Sequence, residues 1–595
     1  MSLLKTLFSF LLIIQRAVVS VLFWLLVLVS IIVIGMMNRA PKIPDQAVLY
    51  LNLEGTLTET LPNDSGSMLL SALGADDMEE KQIRTRDVME VLQQASSDER
   101  IKGVILEIGS LEKVGMSTIK DVSDSLDAFR AVSHKPVWVW SDSYTQGQYL
   151  IAAHADRVSV HPMGQILLKG LSSTSLYWGD TLRLFGIGVD VHKAGSYKSA
   201  PEVLSRNAPS QENIEAQKSY LNAAWLNLTS DLEQRRGLLP GSVTQWINRL
   251  PDTMNQAHTM GEMFLEAGLV DRLETRESYW KAVAESFSPT KNEKDLPLVR
   301  WTTYLALTHS EPVLTSDGVY VLSAEGEITS EAMRGGIIPS DVAQALDSIR
   351  EDSHVKALVL RLNTPGGDAM AAESIRANLA DIAKHIPVVI SMGDMAASGG
   401  YWISTAAQKI VASPLTLTGS IGVFALSFNA EALKQRFSVG QGGYQTTVLA
   451  DMGNPIVAPN AAVEKLMTLS VNRTYLDFKK LVSESRQLSM NAVEDVAQGR
   501  VWMGSQAVQK GLVDTLGNLN DAVTIAKHLA NLPDEAPVAY NDVSSQDWRS
   551  RFRRLFGRMW GRVLGPLPVE SSPFTIETFV TGQPLVWLPL ESKLQ

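Results

Sequence analysis

The feature that most constrains this chain is that it contains one design twice. Asp45-Gln-Ala-Val-Leu-Tyr-Leu-Asn-Leu-Glu-Gly55 and Ser316-Asp-Gly-Val-Tyr-Val-Leu-Ser-Ala-Glu-Gly326 are both alternating apolar strands that end in Glu-Gly. Arg86-Asp-Val-Met-Glu-Val-Leu92 runs on to Ile101-Lys-Gly-Val-Ile-Leu-Glu-Ile108, just as Ser340-Asp-Val-Ala-Gln-Ala-Leu346 runs on to Val355-Lys-Ala-Leu-Val-Leu-Arg-Leu362. Each is an Asp-capped amphipathic helix followed by a buried strand, and the two align without a gap. Lys135-Pro-Val-Trp-Val-Trp140 then answers Ile386-Pro-Val-Val-Ile-Ser391, and Ala267-Gly-Leu-Val-Asp271 answers Lys510-Gly-Leu-Val-Asp514. A chain of 595 residues suggests about four domains by length alone. A repeat of such long period replaces that count with two homologous halves. Strands alternating with helices inside each half predict α/β layers around a mostly parallel sheet.

The copies differ where chemistry is expected. The second contains Met392-Gly-Asp-Met-Ala-Ala-Ser-Gly-Gly-Tyr-Trp402, an apolar strand turning into a small-residue helix at Ser398. A serine there is placed as a nucleophile would be, with the N–H groups of a helix N-terminus beside it. A plain tight turn with Ser398 as N-cap is the alternative reading. The first copy aligns Gln146 with Ser398, so it keeps the turn and lacks the hydroxyl. Asn363-Thr-Pro-Gly-Gly-Asp368 follows a buried strand and has lost its Pro-Gly-Gly in the first copy, Gly109-Ser-Leu-Glu-Lys113. Adjacent glycines can turn backbone N–H groups toward a ligand, or simply make a corner. The third difference runs the other way. The first copy has Gly195-Ser-Tyr-Lys-Ser-Ala200, and the second has Gly442-Gly-Tyr-Gln-Thr-Thr447, with Gln445 opposite Lys198. One half keeps a serine and the other a lysine, which suggests one composite site where the halves meet. A solvated surface lysine is the alternative for Lys198.

Other chemistries find little support. The chain has no cysteine, which excludes thiol nucleophiles, disulfides and Cys-based metal sites. Its nine histidines show no metal-ligand spacing, and a hydrolase triad would have to rely on His528. The net charge of −11 argues against a nucleic-acid partner. Ala17 to Met37 is an uncharged apolar run long enough to span a bilayer, with no small-x-small exit for cleavage, and is read as an uncleaved anchor. Arg16 on one side and Arg39 and Lys42 on the other leave its orientation open. Leu61 to Gln82 reads as an acidic loop inserted in the first half. Trp548 to Leu564 is a basic amphipathic stretch suited to anionic lipid or to subunit packing, though Gly557 and Gly561 weaken it as a helix.

Five motifs together, Met395-Ala-Ala-Ser-Gly-Gly-Tyr-Trp402, Asn363-Thr-Pro-Gly-Gly367, Leu417-Thr-Gly-Ser-Ile-Gly422, Gly499-Arg-Val-Trp502 and Gly195-Ser-Tyr-Lys-Ser-Ala200, resemble the signal peptide peptidase A (protease IV) family in its long, duplicated bacterial form. The resemblance covers the chain from the anchor to about Pro533. It implies two tandem Clp protease/crotonase-like domains built of ββα spiral units behind an N-terminal transmembrane helix. It implies a homotetramer in the bacterial inner membrane whose catalytic body faces the periplasm, with signal-peptide remnants as substrates and no cofactor or metal. Residue by residue, it implies Ser398 as nucleophile, Lys198 as general base and Ser420 as the group that orients the lysine. Gly367 and Gly399 would form the oxyanion hole, with Gly366 shaping the turn. The expected segments are 1–45 (cytoplasmic tip and anchor), 46–285 (the half supplying the lysine), 286–316 (linker), 317–534 (the half supplying the serine) and 535–595 (basic tail). Met395, Trp402, Ile421, Val423 and Phe424 are candidates to line apolar substrate pockets or, alternatively, to pack the core. The reading of a different class is a non-proteolytic membrane scaffold of the same fold.

Overall fold

A computed structural model describes residues 43–61, 81–253, 259–309, 314–330 and 336–543, with Ser20, Trp24 and the backbone of Leu585–Val586. The rest of the expected anchor, most of the Leu61–Gln82 loop and the whole Trp548–Leu564 stretch lie outside the described residues. Among the described residues no helix is long and apolar enough to cross a membrane.

The apolar runs become central parallel strands, as expected for strands buried on both faces. In the first half these are β1 (Ala47–Asn52), β2 (Ile101–Glu107), β3 (Val137–Ser141), β4 (Arg157–Val160), β6 (Arg272–Leu273) and β7 (Leu298–Arg300). A further strand, β5 (Gly188–Ala194), stands apart from them. The sheet runs β6-β4-β3-β2-β1-β7 and is parallel throughout. The second half repeats this with β8 (Gly318–Glu325), β9 (Val355–Thr364), β11 (Val388–Ala397), β12 (Lys409–Ala412), β16 (Thr515–Leu516) and β17 (Val538–Asp542). Its order is β16-β12-β11-β9-β8-β17, again parallel. Between these lie β10 (Gly367–Asp368), β13 (Leu417–Gly419), β14 (Val423–Asn429) and β15 (Val501–Met503), and β18 (Leu585–Val586) comes last. The expected α/β architecture of two tandem homologous halves is therefore present.

The duplication extends to individual hydrogen bonds. Tyr149 donates its hydroxyl to Leu269 O at 2.7 Å, and Tyr401 donates to Leu512 O at 2.8 Å. Asp271 accepts from Val158 N at 2.7 Å, and Asp514 from Ile410 N at 2.8 Å. Pairing Tyr149 with Tyr401 fixes the register that sets Gln146 opposite Ser398.

The helices used below are α1 (Thr85–Ser97), α2 (Met116–Ser133), α3 (Gln146–Ala152), α4 (Gln211–Arg236), α5 (Gly399–Ser404) and α6 (Ala461–Arg486). Both α4 and α6 have 26 residues, and both stop at a left-handed residue, Gly237 and Gln487. Part of the expected linker is built into the first half. β7 completes its sheet, and in the helix Trp301–Thr308 the Trp301 indole N–H donates to Asn52 O at 2.9 Å.

β5 is the exception to the symmetry. It leaves its own sheet and pairs antiparallel with β14 of the other half along its full length, from Gly188 opposite Asn429 to Ala194 opposite Val423. The resulting layer has the order β5-β14-β18-β10. This arm carries the first half's lysine into the second half.

Candidate active site

Ser398 follows β11 and caps α5 with φ 59° and ψ −114°. That combination is sparsely populated for a residue with a Cβ and costs about 1–3 kcal/mol, so the surroundings must hold it. Its own N–H donates to Gly419 O at 2.9 Å. Ser420, just beyond β13, also has a positive φ of 53°, and its N–H donates to Arg500 O at 2.8 Å. Two strained serines are thus pinned by the β13–β15 edge.

At the end of the β5 arm, Lys198 Nζ lies 2.7 Å from Ser398 Oγ, 3.0 Å from Ser420 Oγ and 3.2 Å from Ser420 O. Ser398 and Ser420 are 0 % exposed and Lys198 1 %. Burial pulls the Lys198 ammonium down to about 7, with no charged neighbour sharing in the shift. The alternative of a solvated surface lysine does not hold.

Gly366 and Gly367 follow β9 with φ of 106° and 150°. A Cβ on Gly367 would stand 1.9 Å from Ile328 O, so only glycine fits. The turn packs on the start of α5, where a Cβ on Gly399 would lie 3.4 Å from Gly366 Cα. As the first residue of α5, Gly399 has no intrahelical acceptor for its N–H. All six residues singled out in the sequence thus converge.

The first half shows what the degenerate copy does instead. Gln146 Oε1 accepts from Lys169 N and Gly170 N, both at 3.0 Å, so it braces a loop. Gln445 lies in an exposed segment, away from any buried partner. His528 is exposed and faces Asp534 at 3.6 Å. Ile421, Val423 and Phe424 are buried, and Trp402 packs on Phe478 with ring centroids 4.6 Å apart while its indole N–H donates to Glu373. These four side chains pack the core.

Two groups of residues in the site were not anticipated. The segment Gln498-Gly499-Arg500 grips both the lysine and Ser420. Gln498 O accepts from Tyr197 N at 2.8 Å, and Gln498 Oε1 from Ser196 Oγ at 2.6 Å. Gly499 N donates to Ile421 O at 2.7 Å, and the Arg500 guanidinium sits 4.8 Å from the Tyr197 ring centroid and 4.5 Å from that of Trp502. Arg500 also donates to Glu215 of α4 at 2.9 Å. The only sequence signal was the Gly-Arg-Val-Trp motif, to which no role was attached.

The second group is a buried ionic seam between the halves. Arg361 on β9 donates to Glu59 at 2.5 Å and to Asp121 of α2 at 2.8 Å, and also reaches Ser391 Oγ and Met392 O, both at 3.1 Å. Asp394, four residues before Ser398, accepts from Ser117 N at 2.7 Å and Thr118 N at 3.0 Å, at the start of α2. Glu325 accepts from Glu59 N and from Asn363 Nδ2, and Asn363 Oδ1 in turn accepts from Met395 N. Burial pushes Asp121 up to about 7 against the pull of Arg361, and burial with the nearby Glu59 pushes Glu325 up to about 7. The two strands that deliver Gly366-Gly367 and Ser398 are thereby tied to the first half. An arginine in the otherwise apolar run Leu358-Val-Leu-Arg-Leu362 was the signal available in the sequence.

The chain is similar to known proteins along most of its length. Protease 4 of Salmonella typhi is 32% identical over 531 residues, covering 87% of this chain and 84% of the relative. Protease 4 of Haemophilus influenzae is 32% identical over 548 residues, covering 88% and 86%. The chloroplastic serine protease SPPA of Arabidopsis thaliana is 28% identical over 510 residues, covering 84% and 71%. Among solved structures, ClpP1 from Listeria monocytogenes matches at 16% identity and a TM-score of 0.23, covering 34% of this chain and 94% of that one. The pattern of Peptidase family S49 matches residues 130–288 and 380–533, one segment in each half. The chain belongs to peptidase family S49 and is a serine-type peptidase.

Proposed function

We propose that the chain is a membrane-anchored endopeptidase that uses a Ser398–Lys198 dyad to hydrolyse apolar peptides, cleaved signal peptides among them. The observation that carries this reading is the 2.7 Å separation of Lys198 Nζ from Ser398 Oγ across the two halves. A neutral amine has one lone pair and two N–H groups. Ser398 O–H donates to the lone pair, and the two N–H groups face Ser420 O and Oγ, so each of the three contacts has a partner. At the reference lysine value roughly one amine in 2,500 is neutral at pH 7, whereas at about 7 half are. Burial therefore makes the lysine a competent base. Lys198 takes the proton from Ser398 as Oγ attacks the scissile carbonyl, then delivers it to the departing amine. The N–H groups of Gly367 and Gly399 receive the oxyanion, each worth about 3–4 kcal/mol in such sites.

The substrate lies as an extended strand between β10 and β14. In support, the backbone of β18 takes that place, pairing antiparallel with Gly367–Asp368 and with Phe424. Anchoring by Ala17–Met37, a periplasmic catalytic body and a homotetramer follow from the family resemblance. Assembly has one physical argument of its own. Helices Gly179–Leu184 and Glu431–Arg436 correspond in the repeat, yet only the first is followed by a paired arm. The segment after the second exposes Phe437, Val439, Tyr444 and Val448, apolar groups suited to another copy.

The test is hydrolysis of an apolar peptide amide by the full-length protein in detergent. Ser398→Ala and Lys198→Ala are each expected to lower kcat at least 10³-fold while the fold is retained. Activity rises with pH through a midpoint near 7, because the base works only when neutral. Persistent cleavage in either variant would sink the dyad.

A further inference from the structure

Hydrolysis needs water at an atom that no solvent reaches. Ser398 and Ser420 are fully buried and Lys198 nearly so, and the slot between β10 and β14 is filled by an extended strand. Substrate in that slot would seal the same face. A cavity approaches the dyad from the other side. It is partly open to solvent, and its wall includes Lys198, Ser420 and Gly499. None of its lining comes from β10, β14 or the Gly366-Gly367 turn. It therefore lies on the Lys198 side of the site, away from that slot.

The wall is polar and organised. Asn213 Nδ2 donates to Glu202 at 3.2 Å and to the Tyr177 hydroxyl at 3.4 Å, and Gln217 Nε2 donates to Asn213 Oδ1 at 3.0 Å. Behind this wall Glu202 is 2 % exposed; its Oε2 accepts from Ser210 N at 2.9 Å and its Oε1 lies 3.8 Å from Lys193 Nζ. Tyr220 and Ser173 add hydroxyls. Buried polar surface of this kind holds ordered water, typically with two to four partners each; water centres can occupy about 50 Å³ here, and at about 10–15 Å³ per molecule the space admits a few.

We propose that this cavity is the water chamber of the acyl-enzyme, from which the hydrolytic water reaches Lys198. The proposal rests on the dyad reading. With Ser398 esterified, the Nζ lone pair is free and a chamber water donates its proton to it while the water oxygen attacks the acyl carbonyl. The tetrahedral adduct collapses, the bond to Ser398 Oγ breaks, and Oγ takes the proton back from Nζ. The carboxylic acid leaves and the dyad is as it began.

Ala216→Leu projects bulk into the chamber from α4, and Ser173→Val removes a wall hydroxyl with little change in volume. Full-length variants are compared on an N-acylated leucine p-nitrophenyl ester, with labelling of Ser398 by a fluorophosphonate as an independent measure of acylation. Expected for Ala216→Leu are labelling within twofold of the unsubstituted protein and kcat at least tenfold lower. KM falls by a similar factor, because kcat/KM reports acylation. One equivalent of p-nitrophenol appears as a burst, with the acyl-enzyme visible by intact mass. Ser173→Val is expected to show the same pattern at about threefold. Unchanged kcat in both variants overturns the proposal. So does a parallel loss of labelling and turnover in both, which would mean that the cavity acts through dyad geometry. A kcat/KM that changes with the size of the leaving-group residue in peptide substrates would assign the cavity to a substrate side chain instead. A burst that survives Ser398→Ala would refute the dyad reading itself, an outcome distinct from all of these.

Discussion

Gly499→Ala is the most incisive change for the geometry described above, because it touches Lys198, the proposed base, without altering any proposed catalytic group. A Cβ at residue 499 would stand 2.6 Å from Lys198 Cβ and 2.7 Å from its Cα and N. Carbon atoms in contact settle at about 3.5–4.0 Å, so one backbone must yield by about 1 Å. The φ of +76° adds a conformational cost of about 1–2 kcal/mol for any residue with a Cβ. A displacement of about 1 Å at a catalytic group costs on the order of 10² in rate, or about 2.7 kcal/mol of transition-state stabilisation. The expected result is a kcat/KM for a peptide amide about 100-fold lower, with Ser398 labelling by fluorophosphonate slowed to match. The pH midpoint should also rise above about 7, since a displaced lysine admits water and loses part of the burial that lowers it. Gly147→Ala, whose Cβ would meet nothing closer than an ordinary contact with Ile119 at 3.6 Å, is the control and should be neutral. If Gly499→Ala retains kcat/KM within about threefold, or loses activity only in proportion to its unfolded fraction, the segment 498–500 does not position the base.

Further changes test the neighbouring groups. Ser420→Ala removes the acceptor 3.0 Å from Lys198 Nζ but leaves Ser420 O, and a net hydrogen bond of about 0.5–1.5 kcal/mol predicts kcat/KM about tenfold lower; Ser420→Gly, which relieves the positive φ, should lose as much. Arg361→Met leaves Glu59 and Asp121 buried without their counter-ion, and chemical denaturation should show about 3–5 kcal/mol less stability at pH 8.5. The deficit should shrink at pH 6, where Asp121 is protonated; a deficit independent of pH would contradict the seam's electrostatics. Burial alone would lower His154, but Asp127 at 2.8 Å and Asp231 at 3.2 Å outweigh it and hold the imidazolium up to about 9. Its contribution to stability is then complete below about pH 6.5 and lost as pH rises through about 9, so His154→Gln should flatten the pH–stability curve between those values.

The repeat made the fold readable because buried parallel strands carry their signal locally, in runs such as Val355 to Leu362 and its partner Ile101 to Ile108. The meeting of Ser398 with Lys198 was legible for a different reason: each copy had lost what the other kept. Pairings that cross between copies left no such trace. Nothing in Gly188-Val-Asp-Val-His-Lys-Ala194 says that it pairs with β14 rather than with its own sheet, because strand pairing depends on register and neighbours far away in sequence. The same holds for Gln498 and Arg500, whose partners Ser196, Tyr197 and Glu215 lie some 300 residues earlier. Arg361 was visible as a charge in an apolar strand, but its partners Glu59 and Asp121 could not be chosen among so many carboxylates.

Drawing Ser398 and Lys198 from different halves, as the proposed dyad requires, has a physical consequence for where the site can be built. A lysine held at about 7 needs complete burial without a carboxylate beside it, and desolvation is its only cause of shift. A carboxylate within hydrogen-bond reach would favour the ammonium and undo the base. The buried carboxylates of the seam bond instead to Arg361, Asn363 and the start of α2, on the strands that lead to the site. Those strands are tied by charges, while among the described residues the Lys198 amine meets two hydroxyls and a carbonyl. Two opposing electrostatic requirements are thus met on one sheet. A carboxylate introduced against the lysine, as in Ser420→Asp, should move the activity midpoint well above 7 even if the fold is kept.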